Sequence, residues 1–130
     1  MDFYVADTHA LFWYLTASPR LGVNAKNAFD DGAKGVAVIY IPAIVLAELF
    51  FLNEKIGQPL DFNRELQRLE QIWQFEFVAF EPDDVKDFAK NSAVPEMHDG
   101  IIVGVARWFL AACLTCDAKI TSSNLVKVIW

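Results

Sequence analysis

Four carboxylates interrupt apolar stretches of the sequence, and this feature constrains the fold more than any other. Asp7 follows the apolar residues 3–6, and Glu48 lies within the apolar residues 44–52. Asp99 precedes the apolar residues 101–103, and Asp117 follows residues 113–116. A carboxylate in apolar surroundings must be paired, protonated or bound to a cation, because removing a bare charge from water is costly. No Lys or Arg lies near any of the four in sequence on a shared face. If the fold brings them together, a divalent cation is the expected counter-ion.

The bulk properties are those of one globular domain. The chain has 130 residues, of which 55% are hydrophobic and 22% charged, so residues 1–130 are expected to form a single domain. The longest apolar stretch, residues 36–52, is broken by Pro42 and charged by Glu48, which favours a buried strand and helix over a membrane span. No apolar secretory segment follows Met1. We therefore expect a soluble, cytoplasmic protein.

Charge and cysteine content narrow the function. The net charge of -6 argues against capture of nucleic acid by a broad basic face, although metal ions can supply a local positive field. The negative net charge also suits a basic protein partner. The pair Cys113 and Cys116 lies across an expected strand and has no second Cys/His pair, so a zinc or redox site is disfavoured. Both cysteines are expected to act as small hydrophobic residues.

Strand-like and helix-like segments alternate along the chain. Strands are predicted at residues 3–6, 36–41, 77–80, 114–116 and 126–130. Helices are predicted at residues 8–16, 24–32, 42–56, 61–73, 83–91 and 97–112. Asn24 is the expected cap of the second helix, Pro42 the first residue of the third, and Asp83 with Asp84 the cap of the fifth. The pattern predicts a three-layer α/β/α domain with a mainly parallel sheet of four to five strands.

Each acid also has a purely structural interpretation. Asp7 and Asp99 suit helix N-caps, and Asp117 suits a turn. Glu48 is harder to explain, because its helix neighbours are apolar, and a salt bridge to Arg107 is the structural alternative. In open parallel sheets, however, ligands bind beyond the carboxyl ends of the strands, where all four acids can project. An all-oxygen set favours Mg²⁺ or Mn²⁺ over zinc.

These residues together resemble a known family. The opening strand with Asp7-Thr8-His9, Glu48 after the second strand, Asp99 at the head of an apolar helix, and Thr115-x-Asp117 are similar to the pattern of PIN-domain ribonucleases. The resemblance is closest to the VapC toxins of prokaryotic toxin–antitoxin pairs and covers essentially the whole chain. One position departs from it, since Gly100 stands where relatives often have Arg.

The resemblance implies a Mg²⁺- or Mn²⁺-dependent endoribonuclease. It implies that Asp7, Asp99 and Asp117 hold metal, that Glu48 is a direct or water-mediated ligand, and that Thr8 and Thr115 orient the ligands or a water. It further implies RNA as substrate, a VapB-like, DNA-binding antitoxin as partner and a homodimer. The apolar helices also favour a homodimer, because they leave little polar surface.

Several residues and two rival functions stay open. His9 and His98 adjoin proposed ligands, so each is a candidate general acid or metal ligand. We favour a structural role for both. Aromatic side chains on the apolar helices are expected in the core or a subunit interface more than against bases. The rivals are a catalytically inactive binding or oligomerisation module of the same fold and a phosphatase with Asp7 as nucleophile. The phosphatase is disfavoured, because His9 occupies the position of its usual second Asp.

Overall fold

Five short strands form the central layer of the protein. The computed structural model describes residues 1–130 and contains β1 (Asp2–Ala6), β2 (Ala37–Pro42), β3 (Phe75–Val78), β4 (Ala112–Leu114) and β5 (Val128–Ile129). The helices are α1 (Thr8–Leu15), α2 (Val23–Ala33), α3 (Ala43–Lys55), α4 (Phe62–Gln71), α5 (Pro82–Val85), α6 (Met97–Trp108) and α7 (Ala118–Ser123). A 3-10 turn at Phe88–Asn91 lies between α5 and α6.

The sheet has the order β3-β2-β1-β4-β5, and every pairing is parallel. With helices flanking it, the sheet forms the three-layer α/β arrangement that the sequence predicts. Every residue of β2 is buried, as expected for an inner strand of a parallel sheet covered on both faces. In the pairing of β1 with β4, Ala6 lies opposite Leu114, so these two strands end level with each other.

The core joins the sheet to its helices and makes the strand ends a rigid platform. A cluster of 21 buried residues includes Val5, Leu11, Ile39, Ile41 and Ile102. Helix α2 packs against β2, and α6 packs against β1. None of the helices combines the length and the apolar character needed to cross a membrane.

Two strands begin two residues earlier than the sequence predicts. The predicted strand is the continuous apolar run 77–80, but pairing with β2 extends over Phe75–Val78 and includes the polar Glu76, leaving Phe80 45% exposed. Strand β4 occupies Ala112–Leu114, so the predicted 114–116 segment contributes only Leu114, while Thr115 and Cys116 lie in the loop beyond the sheet. This shift determines how Thr115 contributes to the site described below.

Helix ends also differ from the predictions. Gly22 occupies the N-cap position of α2, and the Asn24 side chain instead donates to the carbonyl of Trp130 over 2.9 Å. Pro42 ends β2 and precedes α3. Helix α6 ends at Trp108, because Leu110 adopts a left-handed conformation with φ 53°. Trp73 lies beyond the end of α4 and is 86% exposed.

Two further segments depart from the sequence-based prediction. The predicted 83–91 helix is interrupted, and Glu81 is the N-cap residue of α5, while Asp84 takes part in the cap by accepting from the Glu81 N–H over 2.7 Å. Helix α7 was not predicted, because its six residues include three hydroxyl side chains and bury only Ile120. Such a short segment has too few apolar positions to show a helical period.

Candidate active site

Asp7 lies at the carboxyl end of the central strand β1. Its backbone N–H continues the ladder by donating to the Leu114 carbonyl over 3.1 Å, which holds the residue beside the end of β4. Its side chain is the N-cap of α1, and Oδ1 accepts a hydrogen bond of 2.7 Å from the Thr8 N–H. Asp7 therefore does cap a helix, but the capping bond occupies only one of its two carboxylate oxygens.

The Thr115 hydroxyl connects two of the predicted site residues. It donates to Asp7 Oδ2 over 2.6 Å and accepts from the Asp117 N–H over 3.0 Å. Asp117 is the N-cap of α7, with Oδ1 accepting from the Ile120 N–H over 2.9 Å. Because Thr115 is almost fully buried, at 1% exposure, its hydroxyl has no competing water and fixes the two aspartates relative to each other.

Glu48 lies about two turns into α3 and is joined to the first helix. The Thr8 hydroxyl donates to Glu48 Oε1 over 2.8 Å. The alternative salt bridge to Arg107 is not formed, since that guanidinium donates to Asn91 Oδ1 over 2.7 Å and to the Lys90 carbonyl over 3.4 Å. Glu48 thus has no cationic partner in the protein.

Asp99 lies in the first turn of α6 but does not cap it. The cap is Glu96, whose Oε2 accepts from the Asp99 N–H over 2.8 Å, so the predicted capping role belongs to another residue. No hydrogen bond ends on the Asp99 carboxylate. The pKa of Asp99 is raised to about 6, chiefly by burial and also by the charges of Asp117, Asp7, Glu96 and Glu48, in that order. The other three predicted ligands therefore all act on Asp99 electrostatically.

The pKa of Asp7 is subject to opposing effects. Burial raises its pKa above the ordinary aspartate value, the hydrogen bonds from Thr115 and Thr8 and the nearby His9 lower it, and Asp117 raises it. The balance is a raised pKa. A deeply placed carboxylate without a lysine or arginine partner is the electrostatic situation in which a bound cation is most stabilising.

The four acids differ in how their oxygens are used. Asp7 and Asp117 are held by hydrogen bonds, Glu48 is held at one oxygen, and Asp99 is unrestrained. None of them takes part in an ion pair. No three His, Cys, Asp or Glu side chains are arranged as a group that could hold a metal ion. The structure thus brings the acids within electrostatic reach of one another without closing them around one point.

The residues adjoining the acids have mainly structural contacts. His98 Nδ1 lies 2.6 Å from Glu96 Oε1, and this contact raises the pKa of the imidazole. The His9 ring packs on the Trp13 indole with centroids 5.5 Å apart. Gly100 is buried, and a Cβ there would lie 3.7 Å from the Val94 carbonyl, an ordinary contact.

Sequence analysis missed two residues at this edge of the sheet. Glu96 follows Pro95, and a carboxylate directly after a proline and just before an apolar helix is a usable N-cap signal. Arg20 belongs to the turn after α1 and lines a cavity together with Asp7 and Asp117. No periodic pattern in the sequence predicts that Arg20 lies beside the acids, since its position depends on the conformation of the turn.

The chain shares its fold with several solved structures. A chain of VapBC2 from Rickettsia felis, bound to a DNA fragment from their promoter, has a TM-score of 0.71 and 18% identity, with 97% of this chain and 96% of that chain covered. FitAcB from Neisseria gonorrhoeae has a TM-score of 0.68 and 20% identity, with 96% and 95% covered. A toxin–antitoxin complex from Klebsiella pneumoniae has a TM-score of 0.68 and 19% identity, with 95% and 94% covered.

This likeness covers nearly the whole chain and confirms the PIN-like fold that the sequence predicts. No protein-family model and no curated protein matches the sequence.

The raised pKa of Asp99 predicts a pH-dependent stability. A carboxyl group whose pKa is higher in the folded state stabilises the fold fully below its unfolded value near 3.8, and this contribution is lost as pH rises through about 6. Asp99→Asn cannot ionise, so in EDTA its unfolding free energy should gain about 1 kcal/mol relative to the unchanged protein between pH 4 and pH 8. This magnitude is discounted because Asp99 is partly exposed. Urea unfolding measures the difference, and a difference independent of pH contradicts the prediction.

Proposed function

We propose that this protein is a divalent-metal-dependent endoribonuclease and the toxin component of a VapBC-type toxin–antitoxin pair. The observation that carries the proposal is the gathering of Asp7, Glu48, Asp99 and Asp117 at one end of the sheet without a cationic partner, so that three of them raise the pKa of the fourth. The fold shared with toxin–antitoxin structures supports the same function.

The donor atoms of the four acids are of the type that a hard cation prefers. All of their donor atoms are oxygens, which Mg²⁺ and Mn²⁺ prefer, and hydrogen bonds leave lone pairs free on each carboxylate. Metal binding requires the acids to close around the ion, and Asp99 is the best suited to move because no hydrogen bond restrains its side chain. When bound, the ion would supply a water of lowered pKa and offset charge on the phosphate.

The chain's own residues prepare the site. Asp7 and Asp117 are oriented by the shared Thr115 hydroxyl, and Glu48 is oriented by Thr8. Hydrogen bonds of this kind reduce the side-chain freedom that would be lost when ligands assemble around an ion. Thr8 and Thr115 are thus positioning residues, and the four acids are the proposed ligands.

We also propose that an antitoxin is the protein partner. The structural neighbours include a toxin–antitoxin complex from Klebsiella pneumoniae and VapBC2 bound to promoter DNA. The uncompensated acids and the net charge of -6 suit a basic segment of a DNA-binding partner. Such a segment, lying over the acids, would neutralise them and block access of RNA.

The direct test is cleavage of single-stranded RNA. Cleavage should occur with Mg²⁺ or Mn²⁺ and stop with EDTA. Asp7→Asn and Asp99→Asn should each lower the rate by roughly a hundredfold or more, because each removes a ligand. Glu70→Gln is the matched control, since it removes one negative charge from an exposed position on α4 and should cleave normally. Equal cleavage by all four proteins would show that these acids are not the active site.

One observation favours a second candidate function. Because no three donors are arranged to hold a metal ion, the domain could serve as a catalytically inactive binding or oligomerisation module. The cleavage assay separates the two functions, since a binding module leaves RNA intact with or without metal.

We further propose a homodimer. Helix α3 presents Phe51 at 70% exposure, Ile56 just after the helix is 55% exposed, and Phe50 packs edge-on against both Phe51 and Phe62 at 5.3 Å. An aromatic patch of this kind is typical of an interface.

Sedimentation at micromolar concentration should give twice the 14.7 kDa chain mass, and Phe51→Glu should shift the protein toward the monomer, because a charge in the patch opposes association. Sedimentation of the unchanged protein as a 14.7 kDa species alone would contradict the dimer.

A further inference from the structure

A cavity of about 350 Å³ opens directly beside the acids. Asp7 and Asp117 belong to its lining, so the cavity adjoins the proposed metal site. The lining also includes one guanidinium, one imidazole and two indoles, which belong to Arg20, His9, Trp13 and Trp130. Its volume lies at the lower end of the range of about 300–1,000 Å³ for small-molecule sites. A ligand there would meet carboxylates, a cation and aromatic rings.

Arg20 is the cation at this site. Its side chain is exposed, and its guanidinium makes no ion pair and no hydrogen bond within the protein. The planar guanidinium matches the oxygens of a phosphate group and can bind two of them at once. Its place beside Asp7 and Asp117 gives the acidic edge one local positive charge.

Two indoles form the aromatic part of the cavity. Trp13 and Trp130 meet edge to face, with centroids 5.8 Å apart and planes inclined by 65°. Trp130 is held firmly, because its carbonyl accepts from Asn24 over 2.9 Å and its ring lies so close to Gly22 that a Cβ there would approach it to 2.7 Å. Both indoles are only half-buried, so part of each ring is available to a ligand. Aromatic faces next to a cation are the elements that bind single-stranded nucleic acid.

We infer that this cavity holds one unpaired nucleotide of the RNA, adjacent to the phosphate that is cleaved. The inference rests on the proposed function. The base stacks on the indoles of Trp13 and Trp130, and Arg20 binds the adjoining phosphate. A base that is still paired and stacked in a duplex cannot enter a recess of this size, so the subsite selects an unpaired base.

Binding of labelled RNA in EDTA tests the subsite without cleavage. The probe is a single-stranded RNA octamer, compared with the same strand in a duplex. Arg20→Gln should weaken single-strand binding roughly tenfold and reduce the salt dependence by about one phosphate contact. Trp130→Leu should also weaken it roughly tenfold, whereas Trp130→Phe keeps a stacking ring and should stay within about threefold of the unchanged protein.

Matched controls are Arg64→Gln and Trp73→Leu, which make the same chemical changes at exposed positions away from the cavity. Both should bind as the unchanged protein does. The inference is overturned if the unchanged protein does not bind the single strand, if it prefers the duplex, or if Arg20→Gln and Trp130→Leu bind as well as their controls.

Cleavage kinetics with Mg²⁺ separate failure of the subsite from failure of the proposed function. The Arg20 and Trp130 variants should raise KM roughly tenfold with little change in kcat, because the subsite binds the neighbouring nucleotide equally in the ground state and the transition state. If cleavage depends on Asp7 and Asp99 but KM is unchanged in these variants, the nuclease proposal stands and the subsite is wrong. If the variants lose RNA binding selectively but no protein cleaves RNA, the subsite stands and the nuclease proposal is wrong.

Discussion

The hydrogen bond from the Thr115 hydroxyl to Asp7 Oδ2, 2.6 Å long, is the contact on which the proposed site depends. It exists because β1 and β4 are parallel and in register at Ala6 and Leu114, so that the next residues of both strands emerge side by side. The same hydroxyl accepts from the Asp117 N–H and thereby sets the start of α7. One buried side chain therefore links the sheet register, a helix start and two acids, so that the geometry of the site follows from the topology of the fold.

The fold tolerates this arrangement only by distributing its electrostatic cost. Two carboxylates ~4 Å apart repel by about 4 kcal/mol at an effective dielectric of ~20, which is large beside a total stability of about 5–15 kcal/mol. Hydrogen bonds from Thr115 and from the Thr8 N–H favour the charged form of Asp7, while Asp99 keeps its proton up to a pH of about 6. Without a cation, the site is therefore partly neutralised by a proton below a pH of about 6. A bound cation or a basic partner segment would take over that role.

The sequence predicted the layer structure and the convergence of the acids for physical reasons that hold locally. Buried parallel strands are continuous apolar runs, and polar residues at their carboxyl ends must meet at one edge. The exact strand ends were not predictable, since β3 includes the polar Glu76 and its limits follow from its pairing with β2. Capping of α6 was the structural alternative for Asp99, but Glu96 fills that position, because both acids fit the local pattern and only the folded turn distinguishes them. Arg20 could not be placed, because its role depends on a turn rather than on periodicity.

Calorimetric titration with Mn²⁺ tests most directly whether the separate acids act as one cation site. We expect saturable binding to the unchanged protein and to Glu70→Gln, and binding at least roughly tenfold weaker in Asp7→Asn and Asp99→Asn, because these acids come from different elements but share one ion. Absence of binding heat when Mn²⁺ is added to the unchanged protein would contradict a shared cation site. Binding of the ion by the Asp7 and Asp99 variants as tightly as by the Glu70 control would contradict it equally.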